Sequence, residues 1–172
     1  CEFEYRSSIF KQKLKNKFLI SKVNFRLSKN HIINTSYKTL SDKLIERRIK
    51  DPSISDVSSI VKEIRESKLP NYNQLGNAGS FFKNPVLKKK NFEKISKKYS
   101  SMPFYKVSEN EYKLPAAWLI EKCGFKDICE NQVGVHKNQS LVIINKGGAT
   151  GSNIYNFSQK IKQEVKNKFD IL

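Results

Sequence analysis

The stretch that most constrains this chain is Gly76-Asn77-Ala78-Gly79-Ser80-Phe81-Phe82-Lys83-Asn84-Pro85. Two glycines and an alanine strip away side-chain bulk where a hydroxyl arrives, so a flat ligand or a second backbone can come close to Ser80. Phe81 and Phe82 behind it offer surface for a core. Asn84, preceding Pro85, is biased toward extended backbone and ends the segment with an amide facing outward. This order of small residues, aromatics, a cation and an amide suits a binding loop. A glycine turn leading into a buried strand is the competing reading.

On either side, helical and strand periodicities punctuate the chain. Phe18 and Ile20, then Val23, Phe25 and Leu27, alternate as in a half-buried strand with a bulge between the two sets. Leu40, Leu44, Ile45 and Ile49 recur at helical spacing until Asp51-Pro52-Ser53 interrupts them. Ser53 and Asp56 predict a capping box for a second helix, whose apolar face is Val57, Ile60, Val61 and Ile64 and which stops before Pro70. Lys68 at its end complements the helix dipole. Residues 70–74 carry turn chemistry and read as a domain boundary. Beyond the glycine stretch, Phe92, Ile95 and Tyr99 predict a short helix, and 104–107 with 111–114 a hairpin. Pro115 opens a helix that ends at Gly124, with Trp118 as packing surface. Residues 133–136 and 141–145 predict strands, the second buried on both faces. Gly147 to Gly151 lacks the lysine of a P-loop and the spaced glycines of a dinucleotide fingerprint, so it reads as a connector. Ser152 is expected to cap a last helix with Ile154, Phe157, Ile161, Val165 and Phe169 on one face.

Composition narrows the function classes. With 172 residues the chain holds one good core, or one small domain and part of another. A formal charge of +17 favours an anionic partner, and a basic nucleic-acid-binding module is the generic alternative. Against it, the lysines are dispersed, Lys88-Lys89-Lys90 is the one tight run, and no aromatic and basic interleaving of an RNA-binding kind occurs. Cys1, Cys123 and Cys129 form no close pair and leave one over, which supports neither a disulfide framework nor a metal site. No apolar run reaches membrane-spanning length, so a cytoplasmic protein without membrane or nucleic-acid partners is expected. A chain opening on Cys1 is expected to be a piece of a longer one.

The glycine stretch resembles the serine-bearing loop of the UDP-N-acetylenolpyruvoylglucosamine reductases (UDP-N-acetylmuramate dehydrogenases), type I. Further matching motifs follow in family order: Tyr5-Arg6-x-Ser8-x-Phe10-Lys11, Lys68-Leu69-Pro70, Ala116-Ala117-Trp118-Leu119-Ile120-Glu121, His136-x-x-Gln139 and Leu141-Val142-x-x-Asn145. The resemblance implies an α+β chain: residues 1–69 as the end of an FAD-binding (PCMH-type) domain, 70–169 as an α+β substrate-binding domain, and 170–172 as the start of a return to the flavin domain. It implies a monomeric enzyme of peptidoglycan precursor synthesis. In that enzyme NADPH reduces FAD, and UDP-N-acetylglucosamine enolpyruvate becomes UDP-N-acetylmuramate. Arg6 and Ser80 carry over as catalytic residues, Arg6 for the substrate carboxylate and Ser80 as proton donor. Tyr37, Arg65, Lys68, Asn84, Tyr105, Lys126 and Gln139 carry over as substrate contacts. A third catalytic residue, a glutamate, is expected beyond Leu172. No residue here is assigned to the cofactor, whose main binding segment the family places earlier. Ser7 stands where the family commonly has aspartate, and Asp127 where it commonly has glycine. This C-terminal fragment is expected to be inactive alone.

Overall fold

The computed structural model describes residues 1–4 and 6–171; Tyr5, in the first motif, and Leu172 lie outside the described residues. After a 3-10 turn at Ile9–Lys11, two helices follow, α1 Lys38–Glu46 and α2 Ile54–Lys68. The second half alternates strands and helices: β1 Gly76–Ser80, β2 Val86–Lys88, α3 Lys89–Lys98, β3 Tyr105–Lys106 and β4 Glu111–Lys113. Then come α4 Ala116–Lys122, β5 Cys129–Glu130, β6 Val133–His136, β7 Gln139–Asn145 and α5 Gly151–Phe169. The strands form two antiparallel sheets, ordered β1-β7-β6-β5 and β2-β4-β3. This is an α+β architecture.

The expected capping box at the start of α2 is present. Asp56 N–H donates to the Ser53 hydroxyl, and Ser53 N–H donates to the Asp56 carboxylate at 2.9 Å. Buried Ile60 and Ile64 pack on Leu40 and Leu44 of α1, with Ile49 and Val57 at the margin. That cluster is separate from two others. One gathers Phe92, Ile95, Met102, Leu114, Leu119, Phe169 and Ile171; the other lies between the four-stranded sheet and one face of α5, with Ile120, Val133, Val135, Ile143, Phe157 and Ile161. Cys123 and Val165 border both, so they join the two into one core. Trp118 packs on Tyr99 and Phe169, in keeping with its expected packing role.

Four expectations need correction. Residues 17–28 form no strand; Phe18, Ile20, Val23, Phe25 and Leu27 are all exposed, because a period-two pattern becomes a strand only beside a partner, and none pairs with it among the described residues. The glycine stretch is itself a strand rather than a loop: β1 is an edge strand on β7, and past it only Phe82 of the two phenylalanines is partly buried against the core, while Phe81 stays 42% exposed. α5 is capped by Thr150, not Ser152, since Thr150 exchanges hydrogen bonds with Asn153 in a second capping box. Asn84 does not turn its amide oxygen outward; that oxygen accepts from Ala116 N–H at 2.8 Å. It thereby caps α4, whose own N-cap residue, Pro115, has no side-chain acceptor.

One irregularity sets the direction of Ser80. Asn77 lies opposite Ile144 and Ser80 opposite Val142, so three steps along β1 match two along β7. The extra residue is a bulge, and Gly79 adopts φ +69° there. Asn77 braces it, donating through Nδ2 to Leu75 O at 2.9 Å and accepting from Gly79 N–H at 3.1 Å.

Candidate functional site

The first group of candidates meets at the edge of the four-stranded sheet. Ser80 ends β1 with its residue exposed, and Phe81 N–H continues the ladder to Leu141 O at 2.7 Å. Arg6 arrives from near the start of the chain. Its Nη1 donates to Phe82 O at 3.0 Å, a contact between residues 76 apart. Arg6 has φ +52°, an uncommon conformation for a residue with a Cβ. The guanidinium keeps further donors in its planar fork while one is spent on the Phe82 carbonyl. A charged fork and a hydroxyl are thus held beside one short segment of backbone.

The second group surrounds the C-terminal end of α2. Tyr37, Arg65, Lys68 and Gln139 line one recess of about 300 Å³, floored by Val61 and Ile64. Arg65 and Lys68 share a helix face because they are three apart, and Gln139 is delivered by the start of β7. The Lys68 ammonium stands 6.0 Å from the centre of the Tyr37 ring, within cation–π range. Asn138 in the β6–β7 turn donates to Ser67 O at 3.0 Å, tying that turn to the helix. Arg65 also borders a neighbouring recess of about 830 Å³ that reaches Leu69, Asn77 and Gly79. Arg65 and Leu69 thus border both recesses, the second of which reaches Asn77 and Gly79 of β1.

The remaining candidates are more dispersed. Asn84 lines a cavity of about 420 Å³ between the β1–β2 connection, α4 and α5. Tyr105 is exposed on the outer strand of the smaller sheet, with the Lys113 ammonium 5.6 Å from its ring centre. Lys126 lies just past α4, with its ammonium 4.0 Å from Glu121 Oε2. Neither Tyr105 nor Lys126 lines the recess that holds Tyr37, Arg65, Lys68 and Gln139.

Two environments escape a residue-by-residue reading. His136 stands opposite Gln139 in the hairpin, and its buried Nδ1 has no hydrogen-bond partner among the described residues. Burial, then the charge of Lys137, hold its basicity below the ordinary histidine value, while Asp127 and the Lys68 backbone act in the opposite sense. Ser140 is fully buried and donates to Glu121 Oε1 at 2.8 Å. A serine between glutamine and leucine gives no sequence sign of such a partner; a carboxylate directly after the apolar Ala116–Ile120 run was the available signal. Cys123, which packs beside α5, has its thiol pushed up chiefly by burial, as suits a space-filling cysteine rather than a nucleophile. Among the described residues, no cluster of histidine, cysteine or carboxylate side chains is arranged for a metal ion, and no helix is long and apolar enough to cross a membrane.

Comparison with known proteins identifies the framework. Residues 70–172 match the family model described as UDP-N-acetylenolpyruvoylglucosamine reductase, C-terminal domain. Over 172 residues the chain is 51% identical to the UDP-N-acetylenolpyruvoylglucosamine reductase of Flavobacterium johnsoniae, an alignment covering 99% of this chain and 51% of that protein. It is 41% identical to the protein of the same name from Amoebophilus asiaticus, over 100% of this chain and 51% of the relative. The corresponding protein of Pseudomonas aeruginosa is 37% identical, over 99% and 50%. The chain therefore spans about half the length of the curated relatives it matches.

Proposed function

Since the chain belongs to the UDP-N-acetylenolpyruvoylglucosamine reductase family, we propose that it supplies the substrate-handling half of an FAD-containing, NADPH-dependent UDP-N-acetylmuramate dehydrogenase. Its substrate is UDP-N-acetylglucosamine enolpyruvate and its product UDP-N-acetylmuramate, a peptidoglycan precursor. In this reading residues 1–69 close a flavin-binding domain and residues 70–169 bind the nucleotide sugar. The alternative of a nucleic-acid-binding module finds no support in the family match. The observation that carries the proposal is the meeting of Arg6 with the Phe82 carbonyl, two residues past Ser80. It brings a cation from the start of the chain to the backbone just past Ser80, at mid-chain.

The surroundings of Ser80 are compatible with a planar cofactor. β1 is an edge strand, and a Cβ placed on Gly79 meets no atom within 4 Å, so the backbone there is open to a flat ring. When bound, FAD supplies hydride that it has received from NADPH. What this chain contributes is the handling of charge and proton. As hydride reaches the enol-ether carbon, negative charge grows on the neighbouring carbon and its carboxylate. A guanidinium fork is the side chain best matched to those two oxygens, and fixed in place it stabilises the transition state more than the ground state. Ser80 then donates its hydroxyl proton to the carbon beside the carboxylate, and solvent or a relay restores it. A neutral serine is a weak acid, so its placement carries much of the effect. The two histidines stay out of this step: His31 bonds locally to Lys29 O and His136 belongs to the β6–β7 hairpin. Arg65, Lys68, Tyr37 and Gln139 hold the nucleotide diphosphate sugar, the cations toward phosphate and the amide toward neutral polar groups.

Ser80→Ala in the intact reductase tests this. Turnover is expected to fall by at least about 10²-fold, while UDP-sugar affinity measured by calorimetry stays within a few-fold. Turnover near wild type would remove Ser80 from the chemistry.

A further inference from the structure

Helix α4 has an expected substrate contact beside each of its ends. At its start, the Asn84 side chain accepts the first helical N–H. At its end, Glu121 uses both carboxylate oxygens: Oε1 accepts from the Ser140 hydroxyl at 2.8 Å, and Oε2 lies 4.0 Å from the Lys126 ammonium. Ser140 is inaccessible to solvent and adjoins Gln139, which lines the Tyr37–Lys68 recess. A buried hydroxyl donating to a carboxylate makes a charge-assisted bond, shorter and stronger than a neutral one. Breaking it leaves a buried polar group unsatisfied. Seven residues of helix span only about 10 Å, so α4 is a short, stiff spacer with a proposed substrate contact fastened at each end.

We propose that Glu121 is a positioning residue that fixes Lys126 and Gln139 relative to one another and, through α4, to Asn84. Its carboxylate contacts the start of β7 and the loop after α4, and it acts through its two partners rather than on the reacting atoms. One oxygen anchors β7 at Ser140, next to Gln139. The other restrains Lys126, which sits in a loop where Gly124 and Asp127 both take positive φ and no regular element holds the side chain. With the clasp closed, the ammonium and the amide are presented to the nucleotide sugar at a smaller ordering cost on binding. The inference rests on the proposed function and on the family resemblance that carries Asn84, Lys126 and Gln139 over as substrate contacts, and it adds the residue that sets their spacing.

The test is a double-mutant cycle in the intact flavin-loaded reductase, with KM for the nucleotide-sugar substrate and kcat measured separately. Glu121→Gln retains an acceptor for Ser140 and removes the charge facing Lys126. It is expected to raise KM about three- to tenfold with kcat within twofold. Lys126→Met is expected to raise KM by at least as much. In the double variant the effects should not multiply, because residues that act as one unit are non-additive. Ser140→Ala, which leaves Lys126 untouched, should raise KM by a smaller factor, and thermal unfolding of each variant separates lost positioning from lost folding. Unchanged KM in Glu121→Gln, or fully multiplicative effects in the double variant, would overturn the positioning role while leaving the proposed function in place. An unchanged KM in Lys126→Met would instead remove Lys126 from the substrate contacts, and the positioning proposal with it.

Discussion

Arg6 shows how one side chain joins distant parts of a sequence. Its guanidinium spends one donor on the Phe82 carbonyl, and the proposed function gives the rest of its fork to the substrate carboxylate. Lysine retains the charge but offers a point cation without parallel donors. Arg6→Lys in the intact enzyme is therefore expected to lower kcat by about 10² to 10³-fold, the loss typical of a missing oxyanion-type donor, with substrate affinity changed much less. Steady-state kinetics with saturating NADPH measures this, and a drop confined to KM would place Arg6 in ground-state binding alone. Sequence patterns named this arginine only through its motif. Nothing in the local composition of residues 1–11 announces a partner 76 positions away, because pairing across such a distance is settled by the tertiary fold.

Among the elements, α2 was the most legible. Ser53, Asp56 and the Val57, Ile60 and Ile64 face sit in one continuous window, so local chemistry alone defines the start, most of the buried side and the stop before Pro70, though Val61, read onto the same face, is exposed. The same box makes the helix pH-sensitive. Hydrogen bonds from the Ser53 hydroxyl, then its backbone, hold the Asp56 carboxyl below its ordinary value of 3.8. A carboxyl depressed in the folded state contributes stability that is fully present above the unfolded value and is lost as pH falls through the folded one. Asp56→Asn is thus expected to lower stability at neutral pH and to flatten its decline below about pH 4, which urea titrations at pH 7 and pH 3 distinguish. A wild-type-like slope in the variant would show that other carboxyls set the acid limit. The strand read into residues 17–28 failed for the opposite reason. Alternation records that one face was meant to be covered, and it carries no information about which strand lies alongside. β1 was obscured by composition: its residues, Gly-Asn-Ala-Gly-Ser, are poor strand formers, and it is held by its ladder to β7. The Asn84 cap on α4 was equally invisible, since 32 positions separate donor from acceptor.

At the scale of the whole molecule, the cores are unequal. Two clusters merge through Cys123 and Val165 beneath the sheets, α4 and α5, whereas the α1–α2 cluster rests on Leu40, Leu44, Ile60 and Ile64. The Asn138–Ser67 bond ties it to the sheet, beside the contact of His136 with the Lys68 backbone. Ile60 is fully buried there, and Ile60→Ala removes packing worth about 2 to 5 kcal/mol. Hydrogen exchange is expected to show faster amide exchange in α1 and α2, with β6, β7 and α5 protected as before. Equal loss of protection throughout would mean that the chain unfolds as one unit. Such a separation bears on ligand handling, because Tyr37, Arg65 and Lys68 ride on the smaller unit while Gln139 belongs to the larger.

The bulge in β1 carries a consequence for heredity. Side chains along a strand alternate between faces, so whichever way the Ser80 hydroxyl points depends on the count of residues before it. The extra residue beside Gly79 fixes that parity. Any lineage that regularised this strand would keep its serine in the gene and turn it to the opposite face, so the aim of the proposed proton donor is inherited through a neighbour that has no side chain at all.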